Sequence, residues 1–468
     1  MRTIRLLGRI LPLVLSFTRD HRRWVLGGGG AVRTDAFHRR RADRLVATIA
    51  AMGPTFIKLA QLVAGRRDLI PSPYIDALAT LTDRVPAAPW PVIRRTIEES
   101  YGQPVAHLFE TIDPSPLATA SLGQVHRAQV DGREVVVKVL RPNVEATVEA
   151  DIAAARRILR AVVRRWPSPH LDGLLGVLDE FERRVADEMD FRQEARFARQ
   201  VRANLRDQPS VRVPEVLEAL TRRRVLVLEY VAGTRIDRLE AAGVPPHDPE
   251  RILRAVMELY VRMMLVDGLF HADPHPGNIL VDEAGRVVLL DFGMVVDVPV
   301  ATRRALGRTV FAAIRQDVSG VVDGFYALGL VQPTAARETI HTLAAQLITL
   351  ANERTTAQER IARVTRLADE VVGTLYDFPV QLPPEMVYFA RTAALIEGLG
   401  VRYDARFNPV GFATPIALKL RGEILRSLGE GFTLPPDVPG ALGAVAGYAV
   451  GLFERVAAVT RVAAQLPR

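Results

Sequence analysis

Four polar residues near the middle of the chain have the types and spacing that phosphoryl transfer requires. The segments HADPHPGNIL and VVLLDFG supply His271, Asp273, Asn278 and Asp291; Asp273 precedes Asn278 by five residues, and Asp291 follows Asn278 by thirteen. The reaction needs Mg²⁺ held against the phosphates and a carboxylate near the attacking oxygen. Because Mg²⁺ prefers hard oxygen ligands, we predict Asn278 and Asp291 as metal ligands and Asp273 as the catalytic base or water-positioning group.

The same spacing matches H-x-D-x-x-x-x-N followed by D-F-G, which is the pattern of protein kinases. The alternative is a polar loop that merely joins two helices, and it requires two exact motifs to occur at the right separation by chance. ATP and Mg²⁺ are therefore the predicted ligands.

A single lysine interrupts an apolar strand upstream of this loop. Lys138 lies in VVVKVL, 135 residues before Asp273, and a half-buried lysine usually meets a carboxylate or a phosphate. Carboxylates follow in ADEMDFRQEA, where a continuous helix would put Asp187, Asp190 and Glu194 on one face. We predict that Glu194 pairs with Lys138 and that both are catalytic. The alternatives are a lysine that reaches solvent and a solvated acidic helix face.

The segment before the first predicted hairpin departs from the glycine-rich loop of protein kinases, G-x-G-x-x-G-x-V. It reads LATASLGQV, so only the last glycine and the valine two residues later remain. Alanine and threonine carry a Cβ atom, which makes the loop stiffer and keeps its backbone farther from phosphates. The predicted nucleotide-contacting residues are Ala118, Thr119, Ala120, Ser121, Gly123, Val125, Lys138 and Glu229.

An α+β order of elements would position these groups. Asp131-Gly132 between two β-rich runs predicts a hairpin, and further strands are expected in VRVPEVLEAL, in RRRVLVLEY and on either side of a turn at 282–285. Helices are expected at 35–66, 91–101, 144–166 and 171–205, and over most of the chain from 249 onward.

This order predicts a bilobal, protein-kinase-like fold with a small antiparallel sheet in the N-lobe and a helical C-lobe. The predicted domains are a helical N-terminal extension (1–105), an N-lobe with inserted helices (106–235), a C-lobe core (236–335) and a helical C-terminal region (336–468).

Composition narrows the range of partners. The 468 residues include no cysteine, which excludes disulfides and thiolate metal sites, and they carry a net charge of +8. A basic surface suits an anionic membrane, a phosphate substrate or nucleic acid, or it is simply solvated. No RNA-binding aromatic motif or zinc-finger spacing is present, so we predict no nucleic-acid partner.

Two terminal segments could bring the chain to a membrane. Residues 1–24 combine arginines with apolar residues at helical spacing, which predicts a basic amphipathic helix and argues against a signal peptide. Residues 438–453 are apolar, but these 16 residues fall short of the roughly 20 that span a bilayer. We expect a cytoplasmic protein bound peripherally to the inner face of the cell membrane. Burial of both segments in the helical lobe is the alternative.

Four motifs in order resemble the UbiB/AarF family of atypical kinases. MGPTFIKLAQ is similar to the K-x-G-Q helix of that family, PLATASLGQVHRA to its alanine-rich loop, DEMDFRQEA to its E-x-D motif, and FHADPHPGNI with LLDFGM to its catalytic loop and metal-binding motif. The resemblance covers roughly residues 45–330. One departure is Ala60, which stands where the family motif has glycine.

The resemblance implies a helical lid that would block the site of a protein substrate. Lys58 and Gln61 would lie on the lid helix, and Glu188 and Asp190 would hold Lys58. It further implies ATP hydrolysis, or phosphate transfer to a small-molecule or lipid-linked substrate, in support of ubiquinone or related isoprenoid-lipid biosynthesis. Proteins of quinone biosynthesis would then be candidate partners.

Two other functions compete with an atypical kinase or ATPase. A protein Ser/Thr kinase needs a long activation segment that closes with A-P-E, but here a helical pattern begins by about residue 301, soon after DFG. A nucleotide-binding pseudokinase that regulates a membrane-associated biosynthetic complex would usually have lost one of the four polar groups, all of which remain. We therefore predict a phosphotransferase of the atypical kinase or ATPase type.

Overall fold

The structure is a computed structural model that describes residue 8 and residues 35–64, 74–78, 80–81, 86–120, 122–165, 169–239, 249–331, 333, 336–352, 384–403 and 409–428. These residues form two compact units: the first contains those up to Arg196 together with Val216–Tyr230, and the second contains Phe197–Glu215 and those from Val231 onward. Apart from residue 8, the two predicted membrane segments, 1–24 and 438–453, lie outside the described residues.

The first unit begins with helices that pack on one another. They are α1 (Asp35–Met52), α2 (Pro54–Ala64), α3 (Tyr74–Leu78) and α4 (Trp90–Tyr101). The prediction of one helix over 35–66 is wrong, because Gly53 has a φ of +108° and Pro54 starts the next helix at a position that proline favours. The apolar faces of α1, α2 and α3 form a small core around Ile57, Ala60 and Leu78.

A β-hairpin forms the centre of the first unit's sheet. Its strands are β1 (Thr111–Ile112), β2 (Ala118–Thr119), β3 (Gly123–Val130) and β4 (Arg133–Leu140), and the other three all pair antiparallel with β3. The predicted turn is confirmed: Asp131 and Gly132 have positive φ values of 50° and 72°, which match the twist of a two-residue hairpin. Val135 and Val137 of β4 pack with Ile97 of α4 in the core.

Three helices follow β4. They are α5 (Val144–Arg165), α6 (Pro169–Glu188) and α7 (Phe191–Asn204). The prediction of one helix over 171–205 is wrong, because the chain leaves helical geometry at residues 189–190. Asp190 caps the new helix: its Oδ1 accepts from Arg192 N at 3.1 Å, and its carbonyl accepts from Gln193 N at 2.9 Å.

The next two strands, β5 (Val211–Arg212) and β6 (Val225–Glu229), belong to different sheets. Strand β6 pairs antiparallel with β4 and places Leu226 opposite Lys138. The first unit's sheet therefore runs β1–β3–β4–β6, with β2 added beside β3. This is the small antiparallel sheet that the sequence predicts.

Among its described residues after Tyr230, the second unit contains five short strands, two of which flank the loop at residues 272–278. They are β7 (Thr234–Arg235), β8 (Leu269–His271), β9 (Ile279–Val281), β10 (Val287–Leu289) and β11 (Val295–Asp297). Strands β9 and β10 form the hairpin predicted around 282–285, and one sheet runs β5–β10–β9–β7. Strand β5 is parallel to β10, whereas β8 and β11 form a separate antiparallel pair.

The rest of the second unit is helical. Its helices are α8 (Pro249–Arg262), α9 (Val300–Ile314), α10 (Val318–Ala327), α11 (Arg337–Asn352), α12 (Pro384–Tyr403) and α13 (Pro409–Leu428). Helix α8 runs into a π-turn at Met263–Asp267, and Gly268, with a φ of +69°, ends this turn and starts β8. In the part of the chain that the structure describes, no helix has the length and apolar character needed to cross a membrane.

Candidate active site

The loop after β8 brings Asp273 and Asn278 together. Asn278 Nδ2 donates to Asp273 Oδ2 at 2.8 Å and to the Asp273 carbonyl at 3.3 Å. A 3₁₀ turn at Pro276–Asn278 allows this contact, and His275 caps the turn by accepting from Gly277 N at 3.0 Å. Because the amide nitrogen faces Asp273, the amide oxygen is the end of Asn278 that can ligate a cation.

Asp291 has a backbone conformation that residues other than glycine rarely adopt. Its φ is +53°. Its carbonyl accepts from His271 Nε2 at 2.8 Å, and its Oδ1 accepts from Gly293 N at 3.0 Å. Left-handed conformations of this kind persist where the surroundings fix them, and they cluster at functional sites. The two bonds hold the Asp291 carboxyl group just beyond β10.

His271 positions Asp291. The side chain is fully buried, and its ring lies edge-on to the ring of Phe292 at 5.8 Å. Its Nε2 faces the carbonyl oxygens of Leu290 and Asp291, at 3.3 and 2.8 Å, so we infer that Nε2 carries a proton and donates it. Because His271 binds these two backbone carbonyls, it fixes the backbone on which Asp291 lies. Its role is therefore to position Asp291.

Asn278 and Asp291 offer an amide oxygen and a carboxylate oxygen to a cation. Among the described residues, no group of three or more Asp, Glu or His side chains could hold a metal ion. Mg²⁺ is often bound through one or two protein ligands and takes its remaining ligands from phosphates and water. The residues present therefore fit a Mg²⁺ ion that is shared with a nucleotide.

In the first unit, Lys138 and Glu194 make the contact predicted from the sequence. Lys138 Nζ lies 2.8 Å from each Glu194 carboxylate oxygen, and the two side chains are 17% and 6% exposed. Lys138 Nζ also lies 5.3 Å from the centre of the Phe191 ring. The helical-face argument behind the prediction is wrong, because α7 begins at Phe191 and Glu194 lies in its first turn. The catalytic role of the pair remains a prediction.

The alanine-rich loop forms a tight hairpin between β2 and β3. The turn is closed by Ala120 N, which donates to the Gly123 carbonyl at 2.9 Å. Three predicted nucleotide-contacting residues of this loop are exposed: Ala118, Thr119 and Ala120. Ser121 lies outside the described residues. The half-buried Val125 and Glu229 lie in β3 and β6, and both strands flank β4.

Gly123 has a structural reason to be glycine. A Cβ atom at this position would lie 2.9 Å from the Val139 carbonyl oxygen and 3.5 Å from the Phe191 ring. The first distance is too short for a real contact, so a side chain would push β3 away from β4. Packing accounts for this glycine, and its contact with a nucleotide remains a prediction.

The lid residues predicted from the family resemblance are only partly brought together. Lys58 on α2 forms an ion pair with Glu188 at the end of α6. Asp190 forms a two-pronged pair with Arg192, at 2.9 and 2.6 Å, and the hydrogen bond from Arg192 lowers the pKa of Asp190. The side chain of Gln61 lies outside the described residues.

Ala60 fits its position on α2. It is 4% exposed and packs in the core with Ile57, Leu78 and Leu81. The methyl group that distinguishes it from glycine therefore fills apolar space. The departure from the family motif is accommodated by the packing of α2.

Sequence reasoning misses three polar residues around the alanine-rich loop: Gln124, His126 and Arg141. Gln124 and His126 are fully buried, although each carries a polar side chain. The two-residue period of a strand could have revealed this burial, because Gln124, His126 and Ala128 alternate onto the same buried face of β3.

Known proteins with similar sequences identify the family. The profile of the ABC1 atypical kinase-like domain matches residues 80–324, just over half of the 468 residues. The chain belongs to the ABC1 atypical kinase-like family. The uncharacterized protein sll1770 of Synechocystis is 32% identical over 97% of this chain and 78% of its own length. The probable protein kinase UbiB of Marinobacter nauticus is 31% identical over 77% of this chain and 66% of its own length.

These matches confirm the resemblance to UbiB-type proteins. Since the chain spans slightly less than two thirds of the UbiB relative, the activity of that whole protein is a proposal for this ABC1-family chain. Rv3197 of Mycobacterium tuberculosis, solved as a complex with erythromycin, has a similar structure, with a TM-score of 0.56 and 24% identity over 78% of this chain and 92% of that chain. This likeness concerns the fold alone. Together with the match to the ABC1 atypical kinase-like domain, it confirms the predicted α+β, protein-kinase-like architecture.

Proposed function

We propose that this ABC1-family chain binds ATP with Mg²⁺ and either hydrolyses it or transfers its γ-phosphate to a small or lipid-linked acceptor. One observation carries the proposal: the polar groups that such chemistry needs are all retained in paired or fixed form. Lys138 is held by Glu194, Asp273 is held by Asn278, and Asp291 is fixed by its backbone contacts. A chain that served only as a scaffold would have no use for these costly arrangements.

Each residue has a separate task in this proposal. Lys138, oriented by Glu194, contacts phosphate oxygens, and Asn278 and Asp291 ligate the metal. Asp273 accepts the proton of the acceptor hydroxyl or orients water, and the Asn278 amide holds its carboxylate in place. ATP with Mg²⁺ supplies the transferable phosphoryl group and the cation that neutralises its charge.

The segment after Asp291 favours a small or lipid-linked acceptor over a peptide. Strand β11 pairs with β8 from Val295, and α9 begins at Val300. The chain therefore folds back on the strand before the catalytic loop at the point where a protein kinase has its activation segment. This geometry supports an atypical kinase or ATPase over a protein Ser/Thr kinase.

The proposal extends to the inner face of the cell membrane, in support of quinone or isoprenoid-lipid biosynthesis and with proteins of that pathway as partners. The net charge of +8 and the arginines among residues 1–24 suit anionic headgroups. Two weak anchors bind a membrane better than one, and the apolar segment 438–453 is the second.

The test is Mg²⁺-dependent ATP hydrolysis by the purified chain, with and without anionic vesicles that contain a quinone precursor. Asp291→Asn removes a metal ligand, and Asp297→Asn, at an exposed position in β11, is the matched control. We expect Asp291→Asn to lose roughly 100-fold or more in rate, Asp297→Asn to keep the rate, and vesicles to raise it.

Two results would contradict the proposal. Nucleotide binding by calorimetry with neither hydrolysis nor phosphate transfer to the vesicle-borne quinone precursor would favour a regulatory pseudokinase. Equal rates for the Asp291 and Asp297 variants would place any hydrolysis outside this site. Failure to co-sediment with anionic vesicles at low salt would contradict membrane binding alone and would leave the proposed ATP chemistry in place.

A further inference from the structure

Two polar side chains that the proposed mechanism does not use connect the alanine-rich loop to residues 86–89, the linker that leads into α4. Ala88 N donates to Gln124 Oε1 at 2.9 Å, and Gln124 Nε2 donates to the Ala88 carbonyl at 3.3 Å. Arg141 donates through Nη1 to the Pro86 carbonyl at 2.8 Å and through Nε to the Ala120 carbonyl at 3.1 Å. A single guanidinium therefore holds the linker and the loop at once.

His126 completes the network beneath the sheet. Its Nδ1 lies 2.8 Å from the Asp113 carbonyl, and its Nε2 lies 2.9 Å from Gln124 Nε2. These contacts are compatible only if Nδ1 donates and Nε2 accepts, and burial lowers the pKa of His126, which favours this uncharged form. The His126 ring also packs 5.2 Å from the ring of Trp90, the first residue of α4. The fully buried Gln124 is thus satisfied on both sides.

The tip of the alanine-rich loop is held by main-chain contacts as well. Arg141 N donates to the Leu122 carbonyl at 2.8 Å, and Ala120 N donates to the Gly123 carbonyl at 2.9 Å. Arg141 therefore grips the tip through both its backbone and its side chain. A displacement of the tip that moves Ala120 therefore pulls on the Arg141 side chain, which also binds Pro86 in the linker.

We propose that Gln124, His126 and Arg141 form a clamp that makes the alanine-rich loop and the linker at 86–89 move as one body. The clamp residues are positioning residues: they set the place of the loop, and the loop contacts the nucleotide. The linker leads directly into α4, and His126 packs on Trp90 at the start of that helix, so the clamp ties the loop to the start of α4. The part that concerns nucleotide rests on the proposed function, whereas the mechanical coupling does not.

The coupling is tested first without any ligand, by amide hydrogen exchange of Ala88 in the linker, whose N–H is bonded to Gln124, and of residues 117–125. Arg141→Ala removes the side-chain bonds to Pro86 and Ala120, and Arg94→Ala is the control, because Arg94 is 57% exposed and pairs with Glu98 inside α4. We expect exchange in both segments to rise by about 10-fold in Arg141→Ala and to stay unchanged in Arg94→Ala. A rise confined to one segment, or no rise, overturns the clamp.

A second variant keeps this test valid if Arg141→Ala does not fold. Gln124→Glu preserves the shape of the side chain but removes the Nε2 donor that serves Ala88 and His126. We expect faster exchange at Ala88 and, through Arg141, at the loop tip as well. An effect at the linker with an unaltered loop would again contradict joint movement.

The link to nucleotide is tested with a fluorescent label on the linker. The chain has no cysteine, so Ala87→Cys, at an exposed position, can be labelled uniquely. We expect a non-hydrolysable ATP analogue with Mg²⁺ to change the emission, and Arg141→Ala to abolish that change while calorimetry still detects binding, weakened about 3- to 10-fold. An unchanged response in Arg141→Ala overturns the coupling. Absence of analogue binding to the parent chain overturns the proposed function instead, and the exchange experiment still decides the clamp.

Discussion

Two lysine–glutamate pairs lie in the first unit, and they hold different kinds of element together. Lys138 and Glu194, 17% and 6% exposed, join β4 to α7, whereas Lys58 and Glu188, 24% and 16% exposed, join α2 to α6. The two glutamates are only six residues apart in one segment. In a continuous helix they would point about 120° apart, and the break at residues 189–190 gives each its own helix. One short segment therefore supplies a glutamate that pairs with a lysine of strand β4 and another that pairs with a lysine of helix α2.

The comparison indicates a division of labour, in the sense that the Lys138–Glu194 pair and the Lys58–Glu188 pair have separate roles. The deeper pair belongs to the part of the fold that, in our proposal, handles phosphate, and the shallower pair fastens a helix that the family resemblance identifies as a lid. If so, breaking the first pair should abolish activity, and breaking the second should alter mainly the local stability of α2.

The largest effect is expected from Lys138→Met. The change removes the phosphate contact and leaves Glu194 buried without its cation, so we expect ATP hydrolysis to fall by roughly 100-fold or more and the free energy of unfolding to fall by about 3 kcal/mol. Urea unfolding and a hydrolysis assay measure the two quantities. In the double variant Lys138→Met/Glu194→Leu, stability should return to within about 1 kcal/mol of the parent chain while activity stays lost. Recovery of activity would show that the pair is structural only.

A smaller effect is expected on the lid side from Ala60→Gly, which restores the glycine of the family motif. It removes a buried methyl group and places glycine inside a helix, so the free energy of unfolding should fall by about 2 kcal/mol. Ala47→Gly, at an exposed position of α1, is the control and should cost about 1 kcal/mol from helix propensity alone. Equal losses for the two variants would mean that the Ala60 methyl contributes nothing to packing.

Motifs with fixed spacing allowed much of this arrangement to be predicted from the sequence. The placement of Asp273 and Asn278 on one loop and the turn at Asp131-Gly132 depend on residues close in sequence, where local geometry decides the outcome. The Lys138–Glu194 contact was found through an argument that the structure corrects. The helix break at residues 189–190 was missed because neither proline nor glycine marks it; the capping residue Asp190 was the available signal.

Contacts between distant segments could not be predicted in the same way. The parallel pairing of β5 with β10 joins Val211 to Val287, and no local pattern specifies such a partner. The contacts of Gln124 and His126 escape prediction for a different reason: both residues lie in a segment that resembles a loop motif, whereas their alternation in β3 places them on the buried face. A buried polar residue in a strand should therefore prompt a search for its hydrogen-bond partners.

In the second unit, the carboxylate of Asp267 lies farther from its arginine than Glu188 and Glu194 lie from their lysines. This difference predicts that the stability of the folded state depends on pH. Asp267 is 7% exposed, its Oδ1 lies 3.6 Å from Arg262 Nε, and Arg262 Nη1 lies 2.6 Å from Glu423. Burial raises the pKa of Asp267 to about 6. The negative charge of Glu423 adds to this effect, and the positive charges of Arg262 and Arg303 offset only part of it. The folded state therefore binds the proton more tightly, and its stability falls as pH rises from about 4 to about 6.

Asp267→Asn removes this dependence. The variant should gain stability relative to the parent chain over that pH window and keep the gain above it, which urea unfolding between pH 4.5 and 7.5 would measure. Asp297→Asn, which is exposed, should show no such trend. A constant difference across the window would mean that Asp267 ionises as an ordinary carboxyl group.

The smallest effect is expected from the shallower pair itself. Lys58→Ala should lower the free energy of unfolding by only about 1 kcal/mol, since the pair is partly solvated, and should change hydrolysis far less than Lys138→Met does. Amide exchange in α2 should rise, because Glu188 no longer ties this helix to α6. The exchanged pair Lys58→Glu/Glu188→Lys should restore protection of α2, since the charges again attract across the same two helices. If instead Lys58→Ala abolishes hydrolysis as fully as Lys138→Met, the two pairs share one task, and the division of labour between the deep and the shallow pair is wrong.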